Sequence, residues 1–309
     1  MSARSRKLRV LARALGALGA ALFTVAVPMA REARACAVCG CGDPTLTAMG
    51  TEKPQTFRLR ASAEWRHRTD SIGRSGMDEV RLTEDRFDAQ VAVAPIDRLY
   101  LLLTVPTLRR KVSYVNAAER TRWGLGDIEL RAKFFLYQDR DFVPRHLLAV
   151  VGGVKLPTAP LQRGAGGKLL PIELQPGTGS VDPIVGLSYA YFAAPISFYA
   201  SVQGTYPTKG TEGFRAAASV RTTTAVQYQI VQPFALRLGI DTRTEGKSLE
   251  DGSNSRDSGG FIGFGTAEAL VSPVTDFMLF ASFRMPVLNA LAGYHDEGPI
   301  YGAGIAYDF

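Results

Sequence analysis

Cysteine is nearly missing from this chain. Its three, Cys36, Cys39 and Cys41, fall within six residues of one another, and the sequence after Cys41 has none. A disulfide-stapled fold is thereby excluded, since such scaffolds spread their cysteines through the chain. Long apolar runs are missing too: no stretch approaches the ~18 to 20 uninterrupted apolar residues of a spanning helix. Histidine is confined to His67, His146 and His295, with no Gly-x-Ser-x-Gly or His-Glu-x-x-His beside any of them. The common hydrolase and metalloprotease arrangements therefore have no candidate here. Some twelve-stranded outer-membrane proteins are phospholipases with a Ser/His pair on the lipid face, but nothing at these three histidines singles out such a pair. Phosphate loops, dinucleotide fingerprints and calcium loops are likewise absent.

A large charge of one sign is a further absence, although the whole chain conceals it. The formal charge is +7, from 36 basic and 29 acidic residues. Seven of the basic residues (Arg4, Arg6, Lys7, Arg9, Arg13, Arg31, Arg34) and one acidic residue (Glu32) lie in residues 1–35, which leaves 29 against 28 in the remainder. The excess belongs to a cationic n-region, followed by an apolar stretch from Ala14 to Val27 and the small-x-small site Ala33-Arg34-Ala35. These are the parts of a signal peptide cut before Cys36. A nucleic-acid partner loses its footing, because the basicity goes with the export signal.

What is present, from Thr56 to Phe309, is period two. Phe57, Leu59, Ala61, Ala63 and Trp65 alternate with Arg58, Arg60, Ser62, Glu64 and Arg66, the pattern of a strand with one apolar and one polar face. Similar runs recur near residues 80–93, 99–114, 125–137, 147–156, 181–192 and 196–206. They continue near 214–228, 234–244, 260–271, 276–285 and 299–309, so that twelve strands are expected. Most have ten or more residues, which exceeds the usual globular strand and suits a tilted membrane-spanning one. Connections alternate between long and tight, as in barrels with long outer loops and short periplasmic turns. Both ends of the strand series then fall on the periplasmic side. Tyr301, Ala303, Ile305, Tyr307 and Phe309 share a face, and the sequence stops on the aromatic, as outer-membrane barrels very often do. The reading is an all-β, antiparallel, up-and-down transmembrane barrel over residues 56–309, preceded by a cysteine-rich periplasmic segment, 36–55. Its place is the outer membrane of a Gram-negative bacterium, in contact with outer-membrane lipid.

Hydrocarbon excludes charges that a watery lumen accepts, so the polar faces point inward. Arg58, Arg60, Glu64 and Arg66 on the first strand, and Asp127, Glu129, Arg131 and Lys133 on the fourth, are the expected lumen and selectivity residues. Twelve strands enclose less space than the 16 to 18 of general porins, so long side chains reach well across.

Three segments carry a resemblance. Gly124-Leu125-Gly126-Asp127-Ile128-Glu129-Leu130, then Gly153-Val154-Lys155-Leu156-Pro157-Thr158, then Leu174-Gln175-Pro176-Gly177-Thr178-Gly179-Ser180-Val181-Asp182-Pro183 stand in this order. Together they resemble the outer-membrane transporter family named for the meta-cleavage pathway of phenol degradation. Ala159 departs from the family's usual glycine, and the cysteine-rich start lies outside the pattern. The resemblance implies a barrel that admits small, often hydrophobic or aromatic, solutes. From the residues alone these segments also read as architecture, with glycines and Pro157 shaping turns. A second reading folds Gln162 to Ser180 inward over the lumen.

Cys36, Cys39 and Cys41 form C-x2-C-x-C, which is no haem site because no histidine follows. Three close thiolates suit a soft metal such as copper or zinc, and a disulfide with a spare or lipidated thiol is the alternative. Two functions stay open at this stage: a narrow charged channel for small solutes, and a structural or assembly barrel presenting the cysteine segment to a periplasmic protein partner.

Overall fold

The structure, a computed structural model, describes residues 59–309 apart from 115–118, 142–143 and 251. The signal-peptide segment, the three cysteines and Arg58 lie outside the described residues.

Twelve strands follow one another as antiparallel neighbours: β1 Leu59–Ile72, β2 Val80–Ile96, β3 Leu99–Tyr114, β4 ending in Ile128–Gln138, β5 His146–Leu156 and β6 Asp182–Ala193, then β7 Ile196–Thr205, β8 Ser219–Val231, β9 Phe234–Glu245, β10 Gly260–Val271, β11 Phe277–Leu291 and β12 Ile300–Asp308. β1 pairs with β2 on one side and β12 on the other, so the sheet closes. Closure leaves no edge strand, which is the condition for burying a sheet's backbone in hydrocarbon. Between β2 and β3, β6 and β7, and β8 and β9 the turns are two residues long. Connections at the opposite end are longer and carry short elements, among them the strand His295–Glu297 laid against the end of β1.

Three boundaries differ from the sequence reading, each because a neighbour sets the length. The loop expected at 115–124 is partly strand: Arg120–Leu125 pairs with the outer half of β3 and forms an outer piece of β4, the break falling at Gly126-Asp127. The eighth strand begins at Ser219 rather than Phe214, because β7 and β9 both pair with Ser219 as their last residue. β11 runs past Pro286 to Leu291, since β10 stays paired with it throughout. Pro286 lies opposite Phe264 at a register shift, where its missing N–H costs no regular ladder bond.

The two faces separate as their chemistry requires. Leu101, Leu103, Leu130, Phe134, Val185, Leu187, Leu238, Ile240 and Ile305 are exposed on the outside. An apolar surface this extensive is unsuited to water and suited to lipid. Aromatic and polar groups mark its outer rim: Phe87 stacks with Trp123, the Arg109 guanidinium lies over that indole, and His67 bonds Asp85 at 2.8 Å. Tyr307 meets Phe309 edge-on toward the short-turn end. Charges fill the inside.

Candidate functional site: the barrel lumen

The lumen has three levels. At the mouth, the loop after β5 turns inward, because Leu170 and Leu174 bury themselves against Val112 on the inner face of β3, beside Val80, Leu82 and Tyr114. The three sequence motifs meet here around one carboxylate. Asp127 accepts the backbone N–H of Ala159 at 3.1 Å and that of Thr178 at 3.0 Å, with Lys155 Nζ 3.4 Å away. Lys155 also pairs with Asp182 at 2.5 Å, and Ser180 donates to the same carboxylate. The backbone N–H of Ile128 donates to Thr158. Two glycines make the approach possible: a Cβ at Gly126 would run into Leu108 and Pro106, and one at Gly177 into Asp127 and Ala159. Gln175 closes the loop on itself, donating to the carbonyls of Gln162 and Leu170 and accepting from the Gln162 N–H. Arg110 holds it to the wall by donating to the Gln175 carbonyl. Architecture and inward folding, alternatives in the sequence, are therefore one arrangement.

Below the mouth lies a charged chamber. A cavity of about 490 Å³ at the outer end and one of about 340 Å³ beneath it share four lining residues, Glu129, Arg131, Gln203 and Arg221. These four mark the waist of the space. Around the lower cavity the charges are interlocked: Arg66 bonds Asp88 and lies 3.3 Å from Glu64, Arg86 bonds Asp88, Arg68 and Arg110 share Glu84, and Arg131 pairs with Glu129. Register sets Glu64 opposite Asp88 and Arg66 opposite Arg86. Like charges directly opposite repel, and the pairing relieves this along the strand, Arg66 with Glu64 and Arg86 with Asp88, and diagonally, Arg66 with Asp88. Glu84 instead stands directly between Arg68 on β1 and Arg110 on β3.

At the short-turn end the lumen is packed. Every strand contributes a buried inward side chain, including Tyr100, Phe135, Leu147, Phe192 and Tyr199 on one side and Leu270, Met278 and Phe280 on the other. Ala92, Ala149, Ala225, Ala235 and Ala306 leave room for them. Between the two apolar groups sits Arg237, 2% exposed, bonded to Glu268 at 2.9 Å and Gln227 at 3.0 Å, with its guanidinium 4.9 Å from the Tyr199 ring. A void of about 10 Å³ beside Phe135 and Tyr199 accompanies this floor.

The expected lumen residues divide among these levels. Glu64, Arg66, Glu129 and Arg131 line the chamber, Asp127 is at the mouth, and Arg60 and Lys133 belong to the floor. Arg60 pairs with Asp308, and Lys133 Nζ stands 5.5 Å from the Phe135 ring. Sequence reading missed Arg221, Arg237, Arg243, Asp241 and Glu268. A signal existed on β8, where Arg221, Thr223, Ala225 and Gln227 share a face, but their partners depend on register.

The histidines are held by groups other than serine. His67 bonds Asp85 on the outer face, His146 bonds Tyr189 at the short-turn end, and His295 bonds Asp70 at 2.8 Å. Asp70, His295 and Glu297 bring three ligand atoms within 4.8 Å of one another. Arg243 already donates to Glu297 and Arg68 stands 4.0 Å from Asp70, so an imidazolium completes this network with less repulsion than a metal ion would meet. Burial alone would lower the His295 pKa, but the Asp70 hydrogen bond and the Asp70 and Glu297 charges outweigh it and raise the value.

The family described as "Putative MetA-pathway of phenol degradation" matches residues 51–283. The chain belongs to this family. The matched stretch includes the three motif segments that converge on Asp127. Among solved structures, the COG4313 outer membrane channel from Pseudomonas putida F1 is similar over 84% of this chain and 98% of its own, with a TM-score of 0.65 at 14% identity. The translocator domain of autotransporter NalP from Neisseria meningitidis gives 0.49 at 10% identity, covering 81% of this chain and 88% of that one. A TodX mutant, a monoaromatic hydrocarbon channel, gives 0.47 at 8% identity, covering 87% and 98%. No curated protein is significantly similar in sequence. The likeness to the Pseudomonas channel places the chain in the outer-membrane barrel fold.

Proposed function

We propose that the barrel is an outer-membrane channel that admits small organic solutes through its lumen. The supporting observation is the pair of cavities, about 490 and 340 Å³, joined at a charged waist and lying inside a closed barrel with an apolar exterior. Volumes of this order hold a small organic molecule. Lumen charge has no structural necessity in a barrel this narrow, whose floor is largely packed with carbon. A chamber dense in arginine and carboxylate is well suited to sorting solutes by charge and hydrogen bonding, as substitutions on a lumen face do in barrels generally. The floor is the gate in this reading: passage requires side chains near Arg237 to swing aside. No catalytic role is assigned. The test is solute uptake by liposomes holding the refolded chain, with swelling in small sugars and aromatic acids expected. Absence of uptake, also after deletion of residues 160–176, would favour the assembly barrel.

A further inference from the structure

Arg221 is the cation at the waist that forms no hydrogen bond or ion pair among the described residues. Around the lower cavity stand seven arginines against five carboxylates, and the carboxylates are already taken: Asp88 by Arg66 and Arg86, Glu84 by Arg68 and Arg110, Glu129 by Arg131, Glu64 by Arg66 and Asp241 by Arg284. Arg243, directly across from Arg221 on β9, is paired with Glu245 and Glu297. Arg221, whose side chain lines both cavities, is left with no carboxylate in direct contact among the described residues; Glu245 and Glu129 act on it only from a distance.

Its other cross-strand neighbour, Gln203 on β7, is 5% exposed, and its Oε1 is buried without a hydrogen-bond partner. A buried amide oxygen left so is destabilising until a donor arrives. Gln203 lines the same two cavities. A guanidinium without a direct partner and an orphaned acceptor therefore lie side by side where the two cavities meet. Each lacks what a hydroxylated organic acid carries.

We propose that Arg221 and Gln203 form a binding subsite for a small organic carboxylate, with Arg221 taking the carboxylate and Gln203 Oε1 accepting a hydrogen bond from a hydroxyl of the same molecule. The fork of the guanidinium matches a carboxylate in two parallel bonds. Arg131 and Arg243 line the same space but are held by Glu129, Glu245 and Glu297, so Arg221 is the cation left to meet the solute. A neutral aromatic without a hydroxyl gains nothing from this arrangement. The subsite refines the channel reading by naming the solute class, and it rests on that reading for its purpose.

The test is equilibrium binding to the refolded full chain in neutral detergent, which requires no transport. Three probes are compared: 4-hydroxybenzoate, its neutral amide 4-hydroxybenzamide, and benzoate. Saturable binding of 4-hydroxybenzoate is expected, at least tenfold tighter than the amide and several-fold tighter than benzoate. Arg221→Gln should bring the acid down to the level of the amide. Gln203→Leu should erase the preference for the hydroxylated acid over benzoate while keeping the preference for acid over amide. Equal binding of acid and amide by the unaltered chain overturns the proposal without any variant, as does an Arg221→Gln barrel that binds the acid undiminished. A chain that binds the acid in detergent yet passes no solute in liposomes would defeat the channel reading and leave the subsite standing.

Discussion

Asp127 and Thr178, 51 positions apart, meet in a 3.0 Å hydrogen bond from the Thr178 backbone. That bond, with the Ala159 N–H and Lys155, ties the returning limb of the mouth loop to the break in β4. It explains why a carboxylate interrupts a strand. Replacing Asp127 by Ala strands two backbone donors and half of the Lys155 neutralisation, at about 1–3 kcal/mol for buried groups left unpaired. The expected outcome is a lower thermal transition of the detergent-refolded barrel and a larger conductance as the loop leaves the mouth. Asp127→Asn should have a smaller effect, since one acceptor oxygen remains.

The floor makes a contrasting prediction. Glu268→Ala leaves Arg237 deeply buried without the carboxylate it bonds at 2.9 Å, and removing one partner of a buried pair costs about 3–5 kcal/mol. The double replacement Arg237→Met with Glu268→Leu removes both charges and keeps the volume, so it should be far milder. Thermal shifts of heat-modifiable migration in gels would rank the two. A double variant as unstable as the single one would mean that the pair contributes more than mutual compensation.

A pH dependence follows from His295 at the outer end. Its folded pKa is raised, so the proton it holds between Asp70 and Glu297 contributes stability that is fully present below the unfolded value of ~6.5 and is lost as pH rises through the raised folded value. The segment His295–Glu297 should then loosen from β1 in mildly alkaline solution. Protection factors of the segment, which remove the intrinsic pH dependence of amide exchange, should be several-fold lower at pH 8.5 than at pH 5.5 in the unaltered chain. His295→Gln should flatten that difference.

How much of this was legible in the sequence varies by level. Strand number and faces were, because period two is written along each strand: Arg60, Glu64 and Arg66 turn inward just as Leu59 and Ala63 turn out. The mouth was half legible. Its motifs could be read as glycine and proline architecture, but their meeting at Asp127 needs the loop to return over 51 residues. The floor was not legible. Arg237 and Glu268 are neighbours only through the pairing of β9 with β10, and register between strands is not encoded by alternation within either one. Arg60 shows the same limit, since its face was clear and its level, beside Asp308 in the floor, was not. Phe214 to Ala218 reads as strand by composition, yet its pairing is the isolated bridge of Arg215 with Leu249 and no ladder extends from it.

The account's central claim is that the lumen of this barrel is a charged, gated path for solutes. Single-channel recording of the refolded chain in a planar bilayer, with a salt gradient across it, tests this most directly. Arg131 lines both cavities and faces the path at its waist, so its charge should weigh on whichever ions pass. The predicted result is brief, discrete openings whose reversal potential moves toward cation preference in Arg131→Ser, while barrel insertion and heat-modifiable migration stay unchanged. An inserted, heat-modifiable barrel that conducts nothing, or a reversal potential indifferent to Arg131→Ser, would contradict it.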